Sequence, residues 1–333
     1  MSSGIDSEAL IRPLGEDAPC GKDLEDTQEM AAIDAFRVFG QSTALKPETD
    51  WRAIKDASLE ALGICKDFRL LAHLAAASLR LDGIQCFTDA LGVAARWLEN
   101  FFDPVYPRVD SDAVLRKNAL GYFADRMAVV DALRRVPLVS NRQLGAFSLR
   151  RIELATGNLK PGPEDGAEPP TESQITGAFA ASPQQDLVQL AVTLTCGLES
   201  LKSIEATMVA RQGVQAAPSM GPLTQTLSRM HEIVTSHIHA AASETAQEQG
   251  GVEGEAAATA AAVPGRIRSR DDAIRSLEAV SEFFRRAEPS SPVPLFVDRA
   301  KRLIARDFLE VLAELAPDSV ADVKRVGGIR EEE

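Results

Sequence analysis

Apolar side chains recur every three or four residues along the first part of the chain, which predicts a series of helices. Asp50 and Asp67 each precede such a run, and their short polar side chains suit the N-cap position of a helix. A third run follows Gly83 and stops before Pro104, because proline disfavours helical geometry in the residue before it. A fourth run predicts a helix over 111–135. We therefore expect a helical N-terminal region in which short turns place neighbouring helices antiparallel.

A heptad repeat of apolar residues marks the middle of the chain. Its positions are Leu187, Leu194, Leu201 and Met208, with Leu190, Gly197 and Ile204 three residues after the first three of them. Such a seam is typical of a coiled coil, but it spans only about three heptads and Gly197 interrupts it. The pattern favours a helix of an ordinary bundle over a self-associating coil. A further helix is expected over 223–242.

Two stretches have the composition of flexible linkers. Residues 157–174 combine prolines, glycines and acids that interrupt a helix, and residues 243–265 combine glycines and acids with an alanine run. They divide the chain into an N-terminal helical domain over 1–156, a middle helical region over 175–242 and a C-terminal helical module over 266–333. The predicted fold class is all-α, with these parts joined by the two linkers.

The C-terminal module is predicted to contain successive short helices. The first begins near Ser269 and ends at about Glu288, because Pro289 follows. Ser291 and Pro292 then suit the N-cap and first positions of the next helix. The module contains 13 basic and 14 acidic residues, so its net charge of -1 would permit copies to cluster with little mutual repulsion.

Composition and charge restrict the functions that this chain can have. Its 333 residues carry 36 basic and 49 acidic side chains, and the net charge of -13 disfavours binding to nucleic acid. The first residues lack a secretory signal, and no run approaches the roughly 18 apolar residues that span a bilayer. We therefore expect a cytoplasmic protein without direct membrane insertion. Trp51 and Trp97 are predicted core anchors, and the widely spaced cysteines are interpreted as buried, reduced thiols: Cys20, Cys65, Cys86 and Cys196.

Sequence patterns for catalysis are missing. The chain has no glycine-rich dinucleotide fingerprint, no phosphate-binding loop and no nucleophile elbow. The nearest metal motif begins at His231 and Glu232, but Thr235 stands where the second zinc ligand is required. His237 lies on another side of the same predicted helix. We therefore expect no catalytic residue, no cofactor and no metal site.

Several short motifs, taken together, resemble one known family. They are Pro19-Cys20-Gly21-Lys22-Asp23-Leu24-Glu25, Asp50-Trp51-Arg52, Lys66-Asp67-Phe68-Arg69, Asp103-Pro104-Val105-Tyr106-Pro107 and Arg116-Lys117-Asn118-Ala119-Leu120. In order and spacing they resemble the ImpA-type N-terminal domain of the TssA proteins of bacterial type VI secretion systems. Near the other end, the run Glu288 to Pro294, with Arg299 and Ala300 behind it, is similar to the end module of the shorter TssA class.

The resemblance implies a non-enzymatic assembly protein. TssA-like proteins act in building the contractile secretion machine, where they join its baseplate, inner tube and sheath, and their C-terminal modules form rings. The implied partners are further copies of this chain, in a ring based on five- or six-fold symmetry, and the type VI baseplate, tube and sheath proteins, with the membrane complex as a further candidate. The shorter end module favours a baseplate role by analogy with the family.

Two sets of residues are candidates for contacts. Lys66, Asp67 and Arg69 are interpreted either as a helix cap with solvated charges or as a partner surface. The candidate residues of the oligomerisation module are Glu288, Pro289, Ser291, Pro292, Phe296, Arg299, Leu303, Phe308 and Leu312. Two other classes of function stay open at this point. One is a monomeric helical adaptor with the same motifs, and the other is a cytoplasmic helical enzyme with an unrecognised site.

Overall fold

The chain divides into two compact units, Met1–Gly251 and Val252–Glu333, and each is described by itself. The computed structural model describes residues 5–43, 49–109, 113–162, 169–248, 270–287 and 293–304. Most of the described residues of the first unit are helical. Those of the second unit form two helices.

The first unit contains eleven α-helices and one hairpin among its described residues. Their bounds are α1 Ser7–Ile11, α2 Gln28–Asp34, α3 Trp51–Leu62, α4 Phe68–Leu81, α5 Ile84–Asn100, α6 Val114–Gly121, α7 Asp131–Arg135, β1 Pro137–Asn141, β2 Gly145–Ser148, α8 Leu149–Ala155, α9 Glu172–Ala180, α10 Gln184–Gln212 and α11 Gly221–Glu248. A 3-10 turn at Tyr122–Ala124 and a π-helical turn at Arg126–Val130 separate α6 from α7, and a second 3-10 turn, Val214–Ala216, follows α10.

Helices α3, α4 and α5 form the centre of the N-terminal part, as the apolar periodicity predicts. Asp50 Oδ1 accepts hydrogen bonds from the backbone N–H groups of Arg52 and Ala53, at 3.1 and 3.0 Å, so it caps α3. Asp67 Oδ1 accepts the N–H of Arg69 at 2.7 Å and caps α4. Both predicted N-caps are confirmed. Most side chains of α4 are buried, because this helix packs between α3 and α5.

The fourth predicted helix, over 111–135, is wrong as a single element. The helix α6 begins at Val114, and the helical path breaks at Asp125, whose ψ of 130° is extended. The Asp125 carboxylate then accepts the N–H groups of Met127 and Ala128, at 3.0 and 2.7 Å, and so caps the following π-helical turn. Asp125 thus starts a new helical turn inside a stretch whose apolar spacing is compatible with one continuous helix. The spacing alone therefore predicted no break.

A small antiparallel hairpin corrects the expectation of an all-α fold. Val139 of β1 lies opposite Phe147 of β2, and both side chains are buried in the core. The Asn141 side chain accepts N–H groups of the connecting loop, and Gly145 takes a positive φ of 98° where the loop enters β2. Strands of four and five residues are too short to display a clear alternating pattern, so helical periodicity dominated the prediction.

The heptad repeat of apolar residues lies on α10 and packs against other helices of the same chain. Leu187, Leu194, Leu201 and Met208 are buried, and α10 packs against α5 and α11. The interpretation as a bundle helix is therefore confirmed. The stretch 157–174 lies within the first unit, while the predicted domain boundaries stay a prediction.

Helix α10 is also long and apolar enough to cross a membrane, by length and composition only. No such stretch was expected from the sequence. Apolar core helices of compact proteins meet the same criterion. Like them, α10 buries one apolar side against neighbouring helices. One such helix among the described residues is weak evidence for a membrane span.

The second unit is described by α12, Arg270–Ala287, and α13, Val293–Ile304. Arg285 contacts Asp298 at 2.5 Å and Lys301 contacts Glu278 at 2.7 Å, so the two helices run in opposite directions. Ser281 is buried beside them. These two helices lie within the predicted C-terminal module, which as a whole stays a prediction, and the proline-rich turn between them lies outside the described residues.

Two glycines in helices provide a matched test of the packing of α10 on α5. A Cβ on Gly197 would lie 2.8 Å from Thr88 Cγ2, whereas a Cβ on Gly92 would meet Ser200 Oγ at 3.9 Å. Gly197→Ala should lower the free energy of unfolding by about 1–2 kcal/mol, because overpacking exceeds the gain in helix propensity. Gly92→Ala should raise it by about 0.5–1 kcal/mol. Urea unfolding measures both values, and equal stabilisation by the two changes would contradict close packing at Gly197.

Candidate functional site

Three of the quoted motifs meet at one place in the first unit. The backbone of Lys66 donates to the carbonyl of Cys20 at 2.9 Å, and its own carbonyl accepts the N–H of Tyr106 at 3.0 Å. Lys22 and Phe68 add a backbone bond on each side, to Ile64 at 3.2 Å and to Tyr106 at 3.0 Å. Residues 64–68 thus lie between the other two segments. We call residues 19–25, 64–69 and 102–107, together with Arg116, the motif junction.

Gly21 permits the first of these pairings. Its φ is +74°, and a Cβ at this position would lie 1.9 Å from the carbonyl oxygen of Ile64. Both the backbone conformation and the close approach therefore require glycine. The close contact with residues 64–66 therefore explains why the first motif has glycine between Cys20 and Lys22.

Asp67 and Arg69 form a buried ion pair at the start of α4. The Arg69 guanidinium donates to both carboxylate oxygens of Asp67, with the shortest distance 2.7 Å, and its Nη1 contacts Glu25 at 2.7 Å. Burial lowers the pKa of Arg69, but the hydrogen bonds and charges of Asp67 and Glu25 outweigh it and raise that pKa above its ordinary value. The guanidinium therefore stays charged and links the third motif to the first.

Lys66 is a buried cation on the opposite side of the same segment. Its Nζ donates to the carbonyl of Leu10 and lies 5.3 Å from the centre of the Trp97 ring. Trp97 Nε1 donates to the same carbonyl at 2.9 Å. Burial lowers the pKa of the Lys66 ammonium. One main-chain oxygen near the end of α1 thus receives two buried donors, which fixes the N-terminal segment against α5.

Arg116 organises the third segment of the junction. Its side chain is buried and donates to three backbone carbonyls, those of Pro107 at 2.9 Å, Phe102 at 2.6 Å and Val105 at 2.7 Å. Burial lowers the pKa of Arg116 to about 10. Sequence reasoning quoted this arginine as part of a motif but did not find its role. No periodicity signals an arginine that binds main-chain carbonyls of a preceding loop.

The aromatic residues of the motifs also have structural contacts. The Arg80 guanidinium lies 3.8 Å from the centre of the Trp51 ring and donates to the carbonyl of Ala128 at 2.7 Å. Phe102 lies between two guanidinium groups, Arg116 at 4.9 Å and Arg211 of α10 at 4.5 Å. Trp97 is fully buried, as a core anchor should be, and Trp51 is half-buried against the core.

The structure corrects the candidate partner surface. Lys66 and Asp67 are 1% and 0% exposed. Neither side chain is therefore solvated or available to a partner, as the two interpretations of this motif required. Both are held inward by the contacts described above, because a buried ammonium and a buried carboxylate each require partners. Arg69 is partly exposed and stays a candidate. It contacts the exposed side chain of Glu25, whose backbone N–H donates to the exposed Asp23 carboxylate. Nearby in the sequence, Arg108 donates to the Tyr106 hydroxyl at 2.9 Å.

We call Asp23, Glu25, Arg69 and Arg108 the junction rim. Asp23, Glu25 and Arg69 are outward side chains of the motif junction, and Arg108 directly follows its third segment. The backbone of the junction is held by hydrogen bonds between its segments. Among the described residues, no group of three or more His, Cys, Asp and Glu side chains is arranged to hold a metal ion.

Of the candidate oligomerisation residues, the structure describes the side chains of two. Phe296 and Arg299 lie on α13 and are exposed. Leu303 is within α13, but its side chain lies outside the described part of the chain. The remaining candidates also lie outside the described residues: Glu288, Pro289, Ser291, Pro292, Phe308 and Leu312.

Comparisons with known proteins agree with this arrangement of motifs. The family model "ImpA, N-terminal, type VI secretion system" matches residues 11–128, a range that contains all five quoted N-terminal motifs. Over 345 aligned positions the chain is 29% identical to the type VI secretion system component TssA1 of Pseudomonas aeruginosa, covering 97% of this chain and 98% of that protein. The chain is therefore similar to TssA1 over nearly its whole length, and residues 11–128 match the ImpA N-terminal family. The resemblance found in the sequence is thereby confirmed.

The fold of the chain is also similar to that of a solved structure. That structure is the N-terminal domain, including the ImpA_N region, of the TssA component of the type VI secretion system from Burkholderia cenocepacia. The TM-score is 0.58 at 24% identity, and the match covers 71% of this chain and 95% of that one. The likeness supports the fold of the first unit.

Gly21 and Gly40 allow the backbone contact between the first motif and residues 64–66 to be tested. Both have a positive φ, +74° and +73°, but a Cβ on Gly40 would meet nothing within 4 Å. Gly40→Ala should lower the free energy of unfolding by about 1 kcal/mol through backbone strain alone. Gly21→Ala should lower it by about 3 kcal/mol or more, because the strain is joined by the clash with Ile64. Chemical denaturation checks the difference, and equal losses would refute the close approach.

The buried thiols of the junction predict a pH dependence. Burial raises the pKa of Cys65 from 9.0 to about 12, and that of Cys20 to about 11. The folded state keeps these thiols protonated, while the unfolded state loses their protons above about pH 9, so stability should fall as the pH rises from there. In Cys65→Ala this fall should be shallower than in the control Cys196→Ala, which removes an exposed thiol.

Urea unfolding of the two cysteine variants between pH 7.5 and 10.5, with a reductant present, measures the two slopes. A small loss of packing shifts the whole Cys65→Ala curve without changing its slope, so the slope is the informative quantity. Parallel curves for the two variants would show that Cys65 does not contribute.

Proposed function

We propose that this chain is a non-enzymatic scaffold of the type VI secretion system, which oligomerises through residues 266–333 and recruits partners through its N-terminal domain. In this role it helps to assemble the baseplate with the tail tube and sheath on the cytoplasmic side of the apparatus. The match of residues 11–128 to the ImpA N-terminal family and the similarity to TssA1 support the assignment to this secretion system. The observation that carries the oligomerisation is the surface of the second unit.

Large apolar side chains are exposed on both described helices of the second unit. Leu295 and Phe296 of α13 are 74% and 68% exposed, and Phe283 of α12 is 59% exposed. Phe283 and Phe284 are neighbours, with ring centres 5.4 Å apart. Burying such side chains against another copy would contribute roughly 1.5–3 kcal/mol for each one that is fully covered. A surface of this kind favours contact with other copies of the module.

The charge distribution favours the same part of the chain for self-association. Residues 266–333 are nearly neutral, with 13 basic and 14 acidic residues, although the chain as a whole has a net charge of -13. Copies that meet through this module therefore bring little like charge together. The acidic excess lies in the first 265 residues.

Recruitment is assigned to the junction rim, Asp23, Glu25, Arg69 and Arg108. A surface with a fixed backbone loses less conformational freedom on binding than a mobile loop does, which favours affinity. Both signs of charge are present within the rim, so a partner with a complementary pattern would be selected. Several copies held by one C-terminal ring would strengthen each weak contact by avidity.

Light scattering of the full chain tests the oligomerisation. The wild-type protein should have a mass several times that of the 35.8 kDa chain. Leu295→Glu combined with Phe296→Glu should shift the mass towards that of the monomer, because charges would oppose one another across the interface. The matched control is Val214→Glu, since Val214 is equally exposed, at 75%, but lies on the first unit. It should leave the mass unchanged.

A monomeric mass for the wild-type protein across micromolar concentrations would overturn the oligomeric scaffold and favour the monomeric adaptor. An equal loss of mass in the Val214→Glu control would show that the effect is not specific to the second unit.

Secretion by a strain lacking the gene tests the recruitment. Wild-type protein should restore type VI secretion, and Arg108→Glu should restore it about tenfold less while keeping the wild-type mass and unfolding curve. Arg96→Glu, an exposed change on α5 away from the rim, is the control and should complement fully. Full complementation by Arg108→Glu would remove the rim from the proposed surface.

A further inference from the structure

An apolar groove of about 350 Å³ runs between α10 and α11 on the outside of the first unit. Val188, Val192 and Cys196 of α10 form one side of it, and Ile238 of α11 lies on the other. Val188 and Val192 are 44% and 49% exposed, although the seam of the same helix is fully covered by α5 and α11. Helix α10 therefore carries more apolar surface than the packing of this unit covers. We call this surface the α10 face.

Cys196 is exposed on this face, which corrects the expectation that all four cysteines are buried. All four lie among the described residues, and Cys20, Cys65 and Cys86 are buried. The thiol is located next to the exposed valines, so it reports directly on whatever approaches the α10 face. It is used below only as such a reporter.

Charge indicates which partner the face suits. Among the described residues that line the groove, none is Asp, Glu, Lys or Arg, although 26% of the chain is charged. Two copies with a net charge of -13 each repel one another wherever acidic surfaces meet. An uncharged apolar face is a place where two such copies can approach without that repulsion. A basic partner, in contrast, would find no acidic side chain to pair with there.

The shape of the face is compatible with self-pairing. Val188, Val192 and Cys196 are four residues apart, so they form an i±4 ridge along α10, and the groove lies directly beside this ridge. A two-fold contact requires one surface that carries both a protrusion and a recess, since each copy uses the same residues. The ridge of one copy can then occupy the groove of the other, with the helices crossing at about -50°.

We propose that the α10 face pairs with the same face of a second copy of this chain inside the assembled oligomer. A single crossing of helices covers less than the roughly 1,200–2,000 Å² of a stable independent interface. The contact therefore forms only where copies are already held together, which raises their effective concentration. The inference rests on the proposed oligomerisation through residues 266–333, and it adds a second interface that would pair the first units of neighbouring subunits.

Cross-linking of the full-length protein through Cys196 tests this pairing. Mild oxidation with copper phenanthroline should convert most of the protein to a covalent dimer on a non-reducing gel. Cys196→Ser should abolish the dimer, because the other three cysteines are buried. Val192→Asp should lower the yield of the dimer about tenfold while leaving the oligomeric mass unchanged, because the introduced charges would meet across the two-fold axis.

A positional control separates pairing from random collision. In the Cys196→Ser background, Val192→Cys should restore the covalent dimer, whereas Glu205→Cys should not, although Glu205 is also exposed on α10. Positions 192 and 205 both lie on α10, but their side chains point in different directions around the helix axis. Equal cross-linking at both positions would overturn the inference.

The mass measured by light scattering distinguishes failure of the pairing from failure of the proposed function. An oligomeric mass without a Cys196 cross-link overturns the α10 pairing and leaves the C-terminal scaffold intact. A monomeric mass overturns both.

Discussion

The N-terminal domain depends on buried cations whose partners are main-chain carbonyls. Arg116 binds three carbonyl groups of the loop 102–107, and Lys66 binds the carbonyl of Leu10. The loop 102–107 has little regular secondary structure, and Leu10 lies in the last turn of α1, so these carbonyls lack the partners that the interior of a helix or a sheet supplies. A guanidinium with five donors in a fixed plane can satisfy several of them at once. The lowered pKa values of both cations reflect the free energy required to bury them.

This constraint explains why the family motifs are spread along the chain and yet meet in space. The first motif forms backbone hydrogen bonds with residues 64–66. The Asp67–Arg69 ion pair stabilises the third motif. Arg116, which belongs to the fifth motif, binds the backbone of the fourth. The motifs therefore identify the fold of the domain. Residues that contact partners are to be sought on the junction rim and on the apolar faces, where side chains point outward.

Features that arise from local chemistry could be predicted from the sequence. Asp50 and Asp67 cap helices because their carboxylates reach N–H groups two or three residues away, and Leu187 to Met208 show their seam through spacing alone. The break at Asp125 could not be separated from a continuous helix, because the same apolar spacing runs through it. The hairpin at 137–148 is too short for its period to be visible.

The candidate site was predicted less well, for a related reason. Lys66 and Asp67 were assigned to the surface because charged side chains are usually exposed. Their burial depends on Leu10, Trp97 and Arg69. Of these three partners, only Arg69 is near Lys66 and Asp67 in the sequence. Arg116 is nine to fourteen residues from the carbonyls that it binds. Contacts of this range follow from the folded path of the chain and leave no periodic signal.

Hydrogen exchange of an Arg116→Lys variant tests most directly whether buried cations hold the junction together. Lysine keeps the positive charge but cannot reach three carbonyls at once, so the account predicts faster exchange at the amides of Lys66, Phe68 and Tyr106. The exchange of α10 amides should stay as in the wild type, and Arg96→Lys, an exposed change, should alter none of them. Unchanged protection of the three junction amides in Arg116→Lys would contradict the account.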